Sequence, residues 1–223
     1  MKTKRDISII HSLLSNLVEY LPKPSITQIA EIHKRSPYKV LLSTIISQRT
    51  KDNITMEASN RLFKIACEPE KMIKVSVDKI AEAIYPSAYY NVKSVWIMEN
   101  SKTILEKFHG RVPDKIEVLL KLNGVGRKTA NLVLIEGFGK EAICVDTHVH
   151  RISNRLGLVN TKKPDETEKA LLDVLPKRYW IRLNEMLVTF GQHICTPISP
   201  KCANCGLNKI CDKNSLKFRG VVL

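Results

Sequence analysis

Hydrophobic positions follow a helical period along nearly the whole chain. Near the N-terminus, Ile7, Ile10, Leu14 and Leu17 recur at intervals of three and four residues, which places them on one face of a helix. Short stretches rich in proline and glycine separate such segments, and no sustained alternation of apolar and polar residues indicates a strand. The pattern therefore predicts an all-α fold built from helices of ordinary length.

A helix, a very short turn and a second helix are predicted over residues 112–135. Gly124 and Gly126 flank Val125 in the turn. The glycines permit positive φ and close approach, so amide groups at the start of the second helix can bind one anion, while Val125 is expected to be buried. The alternative is an ordinary helix connection in which glycine serves as a C-cap.

A basic pair, Arg127 and Lys128, opens the second helix. The helix dipole normally favours acidic residues in that turn, so the pair favours phosphate binding over a plain connection. The positive end of a helix and partial burial would both favour the neutral amine of Lys128. Lys128 is therefore a candidate nucleophile as well as a phosphate contact.

Asp146 follows the apolar residues 142–145 and begins another helical segment. Aspartate at this position is typical of an N-cap. A carboxylate at the edge of a cleft also stabilises positive charge that develops on a sugar when its substituent departs. The two roles are compatible, and His148 lies within reach of the same place.

The composition points to an anionic partner. The chain has 223 residues with 36 Lys and Arg against 22 Asp and Glu, a net charge of +14, and such a surface attracts nucleic acids or acidic membranes. No apolar run is long enough to cross a membrane, and charged residues interrupt the first twenty positions, which excludes a secretory signal. We expect a cytoplasmic, nucleoid-associated protein, or a nuclear one in a eukaryote.

The six cysteines fall into two groups. Cys67 and Cys144 are isolated in apolar surroundings, as expected of small buried residues. The other four lie within 17 residues, at Cys195, Cys202, Cys205 and Cys211. In a reducing compartment this spacing indicates a shared metal centre rather than disulfides. Zinc and a [4Fe–4S] cluster both remain open, and one compact run with long intervals favours the cluster.

Together these motifs resemble the endonuclease III family of helix–hairpin–helix DNA glycosylases. The similarity runs from about Pro37 to Cys211 and includes residues 41–52, 122–131 and 145–149 as well as the cysteine run. Membership would imply a [4Fe–4S] cluster on the four cysteines.

The resemblance also implies two helical lobes flanking a DNA-binding cleft. One would be a six-helix barrel over residues 27–139, with the helix–hairpin–helix at 116–135. The other would combine residues 1–26 with 140–223 and carry the cluster.

The implied function is base-excision repair of damaged, oxidised pyrimidines in duplex DNA, with an associated lyase activity at abasic sites. Lys128 would attack the sugar C1′ and form a Schiff base, and Asp146 would be the catalytic carboxylate. The partner would be double-stranded DNA that contains a damaged base or an abasic site, bound by a monomer and without any membrane.

The resemblance assigns DNA contacts as well. Gln48 would fill the space left by a flipped nucleotide, and Tyr89 would be a second wedge, although Ala88 stands where the family has a glycine. Lys201 would meet a phosphate. The expected DNA-contacting set is Gln48, Tyr89, Gly124, Val125, Gly126, Arg127, His148 and Lys201.

Two alternatives remain. Thymine or uracil mismatch glycosylases share the hairpin, the aspartate and the cluster but lack the lysine, so Lys128 favours a combined glycosylase and lyase. A non-catalytic helix–hairpin–helix DNA-binding module would need neither Lys128 nor Asp146.

Overall fold

The computed structural model describes residues 2–213, and this part of the chain is helical without any strand, which confirms the all-α prediction. Two short 3-10 turns, Lys177–Tyr179 and Cys202–Asn204, accompany the α-helices. The helices are α1 (Lys4–Val18), α2 (Ser25–Ile32), α3 (Pro37–Ser47), α4 (Asp52–Ile65), α5 (Pro69–Met72), α6 (Val77–Ile84), α7 (Tyr90–Phe108), α8 (Ile116–Leu119), α9 (Arg127–Phe138), α10 (Thr147–Leu156), α11 (Pro164–Val174) and α12 (Trp180–His193).

The chain forms two compact units. The hairpin unit is Pro24–Ala142, and the cysteine unit joins Met1–Lys23 to Ile143–Leu223. The sequence predicted that the chain passes from one unit to the other near residues 26 and 139. Each predicted boundary lies within about one helical turn of the observed one. Residues 214–223, which the predicted cluster lobe includes, lie outside the described residues.

The hairpin unit contains six helices of eight residues or more, together with the one-turn helices α5 and α8. Its central helices are α3 and α9, which pack against each other and are buried on nearly all sides. Gly137 permits this approach, because a Cβ there would lie 3.0 Å from the Cα of Pro37. The fully buried apolar residues of α3 are Val40, Leu41, Leu42, Ile45 and Ile46.

The two helices of the hairpin differ in length. The first, α8, is a single turn, whereas α9 continues to Phe138, three residues beyond the predicted end at 135. Gly137 lies inside the helix and packs against Pro37. The helix ends at Phe138, and Gly139 adopts φ +63° as its left-handed cap.

The cysteine unit has its own core, formed by α1, α10, α11 and α12. On α1, Ile7, Ile10 and Leu14 are buried as predicted, and Val18 takes the fourth buried position while Leu17 is only half-buried. Thr3 and Asp6 form a reciprocal capping box at the start of α1. The core also includes Val149, Ile152, Leu171, Leu183, Met186, Leu187, Phe190 and Leu207.

Candidate functional site

The turn of the hairpin is held from helix α7. The buried amide of Asn100 donates to the carbonyl of Asn123 at 2.8 Å and accepts from the Asn123 amide at 2.8 Å. Gly124 adopts φ +71°, and a Cβ there would come within 2.3 Å of the Trp96 ring. Glycine is therefore required at 124 for both its backbone conformation and its contact with Trp96.

Val125 and Gly126 behave differently from each other. Val125 is 6% exposed, as predicted for a residue that anchors the turn. Gly126 has extended backbone, with φ −89°, so the expectation that both glycines allow positive φ is correct only for Gly124. A Cβ at Gly126 would meet nothing within 4 Å. Nothing in the surrounding protein therefore requires a glycine at 126, and the residue leaves open space before α9.

Arg127 and Lys128 are the first two residues of α9, and both are exposed. The expectation of partial burial for Lys128 is therefore wrong, because the buried face of α9 begins one residue later, at Thr129. The position of Lys128 in the first helical turn, two residues after the N-cap Gly126, is as predicted.

Gln48 lies directly after α3 and is linked to the hairpin. Its side-chain nitrogen donates to the carbonyl of Gly124 at 2.7 Å and to the Thr129 hydroxyl at 3.3 Å. The structure thus brings Gln48, within one unit, to a hairpin that lies 76 to 81 residues further along the chain. A side chain that is anchored in this way has a defined orientation before any ligand binds.

Tyr89 is 61% exposed and contacts Arg49. The Arg49 guanidinium donates to the Tyr89 hydroxyl at 3.1 Å and lies 5.7 Å from the ring centroid. Both residues have positive φ, +54° for Arg49 and +56° for Tyr89. Ala88 does not, so the left-handed residue of this loop is Tyr89 rather than the position where the family has glycine.

Asp146 is the N-cap of α10, which confirms its predicted structural role. Its Oδ1 accepts from the amides of His148 and Val149, each at 2.9 Å. The carboxylate is half-buried. These two amide donors hold the carboxylate in one orientation.

His148 is half-buried against α12. Arg151 approaches its Nδ1 at 3.2 Å and donates to the carbonyls of Gly191 and Cys195 at 3.3 and 2.9 Å. Gly191 is required for this packing, since a Cβ there would lie 2.5 Å from His148 Nδ1.

The four C-terminal cysteines line one cavity, together with Arg155, Lys201 and Lys213. Arg155 is buried, and its guanidinium donates to the Cys195 sulfur at 3.3 Å and to the backbone carbonyls of residues 196 and 197. The Cys211 thiol donates to the Arg155 carbonyl at 3.1 Å. One buried arginine therefore organises both ends of the cysteine run.

The cysteine cavity offers the sulfur donors that a metal centre needs. Burial and the neighbouring thiols raise the pKa of Cys211 to about 11, so a bound cation is needed to make such a group a thiolate at neutral pH. Four cysteines can satisfy a single tetrahedral zinc. A [4Fe–4S] cluster would bind each cysteine through a separate iron atom, and the four thiols that line one cavity supply that donor set.

The other two cysteines are not equivalent. Cys144 is buried, as predicted, but Cys67 is only half-buried and lines a surface cavity beside Tyr38. Lys201, the predicted phosphate contact, is exposed at the rim of the cysteine cavity, and its backbone amide donates to the carbonyl of Ile194 at 3.0 Å.

Sequence reasoning missed the residues that support the site: Lys93, Trp96 and Asn100 on α7, and Arg155 on α10. Lys93 and Asn100 are seven residues apart, hence on the same face of a helix. Both are buried. Two polar residues on the buried face of one helix could have identified these supports from the sequence, because buried polar groups need specific partners.

The comparisons with known proteins agree with this geometry. A family profile described as HhH-GPD superfamily base excision DNA repair protein matches residues 42–177, more than half of the chain. The chain is also 44% identical over 207 residues to endonuclease III of Thermotoga maritima, covering 92% of this chain and 97% of that protein. The chain belongs to the endonuclease III family. It is therefore a base-excision repair DNA glycosylase, and an abasic-site lyase activity is typical of this family.

Solved structures support the same assignment of fold. A non-covalent endonuclease III–DNA complex aligns with a TM-score of 0.84 and 30% identity, covering 98% of this chain and 100% of that chain. A thermostable thymine-DNA glycosylase aligns with a TM-score of 0.81 and 25% identity, covering 95% and 98%. In residues 2–213 no helix is both long and apolar enough to span a membrane.

Proposed function

We propose that this endonuclease III family member removes oxidised pyrimidines from duplex DNA and then cleaves the strand, with Lys128 as the nucleophile of the first step and as the amine that carries the Schiff base in the second. The observation that carries the proposal is the placement of Lys128. It lies exposed in the first turn of α9, two residues after the open glycine position 126 and next to a hairpin turn that Asn100 and Trp96 contact.

In the first step, the neutral amine of Lys128 attacks the sugar C1′. The bond between nitrogen and C1′ forms as the bond between C1′ and the base breaks, and the base leaves with the electron pair and takes up a proton. Opening of the sugar ring then gives a Schiff base between Lys128 and C1′. This step requires the neutral amine of Lys128, because a protonated lysine has no lone pair with which to attack.

We assign Asp146 the stabilisation of the positive charge that develops on the sugar while the base departs. Such a charge is best stabilised by a carboxylate that needs no reorientation. The two backbone amides that hold Oδ1 of Asp146 supply that rigidity.

In the second step, the Schiff base makes the C2′ proton acidic. Removal of that proton breaks the bond between C3′ and the 3′ phosphate oxygen, so that the strand is cut on the 3′ side of the lesion. Water then hydrolyses the unsaturated Schiff base and restores the free amine of Lys128.

The hairpin is proposed to bind a DNA phosphate. Amide groups at the start of α9 suit an anion because of the helix dipole, and Arg127 adds positive charge. Gly126 supports this assignment, because no contact within the protein requires a glycine there. A DNA phosphate that approaches the backbone closely at residue 126 would explain the glycine at that position.

The partner is proposed to be duplex DNA that contains a damaged base or an abasic site, bound with the help of the +14 net charge. Gln48 and Tyr89 are proposed to enter the duplex, and His148 and Lys201 to contact its backbone. We further propose that the hairpin unit is the barrel domain and the cysteine unit the cluster domain. Because the proposed substrate is chromosomal DNA, we propose that the protein acts in the compartment that contains the chromosome.

A [4Fe–4S] cluster is proposed as the cofactor, held by Cys195, Cys202, Cys205 and Cys211. When bound, it would supply a structural cross-link and no bond-breaking step. The purified protein is expected to contain roughly four iron and four sulfide per chain, because that is the composition of one such cluster. Elemental analysis that found one zinc and no iron would contradict the proposal.

Borohydride trapping on defined duplexes tests the lesion assignment, since borohydride reduces a Schiff base to a stable secondary amine. The protein is expected to give a covalent adduct on a duplex with one thymine glycol, because base removal must precede the Schiff base. The control is the same duplex without the lesion. The structural similarity to a thymine-DNA glycosylase makes mismatched thymine or uracil the second candidate substrate. An adduct on a thymine–guanine or uracil–guanine mismatch but not on thymine glycol would favour that candidate. No adduct even on an abasic site would favour a DNA-binding module.

A further inference from the structure

Lys93 is a fully buried lysine to which neither the catalytic chemistry nor the sequence analysis assigns a role. It is 1% exposed and lies in the first turn of α7. Its ammonium nitrogen donates to the carbonyls of Ile46 and Gln48, each at 2.7 Å, and to the Thr50 hydroxyl at 3.2 Å. Burial of a charged group is costly unless such partners are present, so a specific role is expected here.

The side chain of Lys93 completes the C-terminus of α3. The last four carbonyls of a helix lack intrahelical partners. In α3, the carbonyls of Thr44, Ile45 and Ser47 accept from groups at the end of the helix and just after it. The carbonyl of Ile46 accepts from Lys93 instead. The positive charge also lies at the negative end of the helix dipole, where it is favourable.

The backbone amide of Lys93 is bonded to a second loop, the one that precedes α7. Its amide donates to the carbonyl of Tyr89, the N-cap of α7, at 3.0 Å. The loops are linked a second time through Thr50, whose hydroxyl accepts from the amide of Ala88 at 3.1 Å and lies 3.2 Å from the carbonyl of Gln48. Lys93 and Thr50 therefore connect the Gln48 loop (residues 48–51) to the Tyr89 loop (residues 86–89).

We propose that Lys93 is a positioning residue that holds the Gln48 loop and the Tyr89 loop in one fixed arrangement for insertion into DNA. Two observations support the need for such a residue. Arg49 and Tyr89 each occupy the left-handed backbone region, which is unfavourable for residues with a side chain and persists only where the surroundings enforce it. Loops that wedge a duplex must also resist the cost of unstacking a base.

The protonation of Lys93 is consistent with this role. Burial lowers the pKa of its amine to about 8, so the amine is still protonated at neutral pH. In that form it has three donors for its three acceptors.

The inference rests on the proposed function in one respect, that these two loops insert into DNA. The first experiment uses a substrate from which no base can be removed, so it tests the loops without the catalytic chemistry. A duplex with a tetrahydrofuran abasic analogue opposite 2-aminopurine cannot react. The fluorescence of 2-aminopurine rises when a protein separates it from its neighbours. We expect Lys93→Met to bind this duplex but to give a much smaller rise than the wild type. The matched control is Lys102→Met, an exposed lysine further along α7, which is expected to give the full rise.

A second measurement separates positioning from general damage to the fold. Single-turnover release of thymine glycol from duplex DNA is expected to slow by about 10- to 100-fold in Lys93→Met, the scale of a misplaced binding element. Borohydride trapping on single-stranded abasic DNA, which needs no insertion, is expected to stay near the wild-type level. An equal loss on both substrates, or a full fluorescence rise in a folded Lys93→Met protein, would overturn the proposal.

Thr50→Val provides a milder variant if Lys93→Met does not fold. It removes the hydroxyl that joins Ala88 to Lys93 but leaves the lysine in place. A reduced fluorescence rise is expected, and an unchanged rise would count against linked loops. If the wild type traps no DNA yet the variants still differ in fluorescence, the proposed enzymatic function fails while the inference about Lys93 stands.

Discussion

Lys128→Ala is expected to abolish the borohydride-trapped adduct on duplex DNA with an abasic site and to slow strand cleavage by about a thousandfold or more, the scale of losing a catalytic nucleophile. Folding should be nearly unaffected, because Lys128 is exposed and changes at such positions alter stability by about 0.5 kcal/mol or less. The adduct is measured by gel electrophoresis after reduction, and stability by thermal unfolding.

Two further variants make the Lys128 result specific. Lys128→Arg keeps the positive charge but cannot act as a nucleophile, because a guanidinium stays protonated. It is expected to bind DNA well and to give no adduct. Lys121→Ala removes an exposed lysine from the other side of the turn and is expected to trap normally. An adduct that persists in Lys128→Ala would mean that another amine performs the attack.

Asp146→Asn is expected to slow release of a damaged base by about 10²- to 10³-fold, the typical loss when one electrostatic contact to a transition state is removed. Asparagine caps a helix about as well as aspartate, so the stability should change little. Asp146→Ala loses the cap as well and should destabilise the protein by about 1 kcal/mol. The pair of variants therefore separates the charge of Asp146 from its structural role.

The assay for Asp146 compares two substrates. Single-turnover release of thymine glycol should fall strongly in Asp146→Asn, whereas trapping on a preformed abasic site should fall less, because no base has to leave. If Asp146→Asn releases the base at the wild-type rate while Asp146→Ala does not, then Asp146 acts only as the N-cap of α10.

The helical fold and the local motifs could be predicted because each depends on residues close together in sequence. The N-cap at Asp146 and the buried Val125 are examples. The end of α9 was predicted three residues too early, since local composition could not reveal that Gly137 packs against Pro37. The α3–α9 contact that decides this joins segments about one hundred residues apart.

The supports of the site could not be predicted for the same reason. The bond from Lys93 to Ile46 spans 47 positions, and the bonds from Asn100 to Asn123 span 23. A lysine at the start of a helix is ordinarily exposed. Only the three-dimensional packing shows that Lys93 is buried and that Lys128, which was expected to be partly buried, is exposed.

Helix α7 has a consequence for protein engineering. Lys93 holds the two loops, while Trp96 and Asn100, one and two turns further along the same helix, hold the hairpin turn. A hairpin transplanted from a relative would lose the partner of Asn123 and the surface beneath Gly124. Chimeric repair enzymes built by exchanging residues 116–138 should therefore exchange residues 93–100 with them, because the hairpin turn and the helix face that supports it come from two distant segments of the chain and pack together.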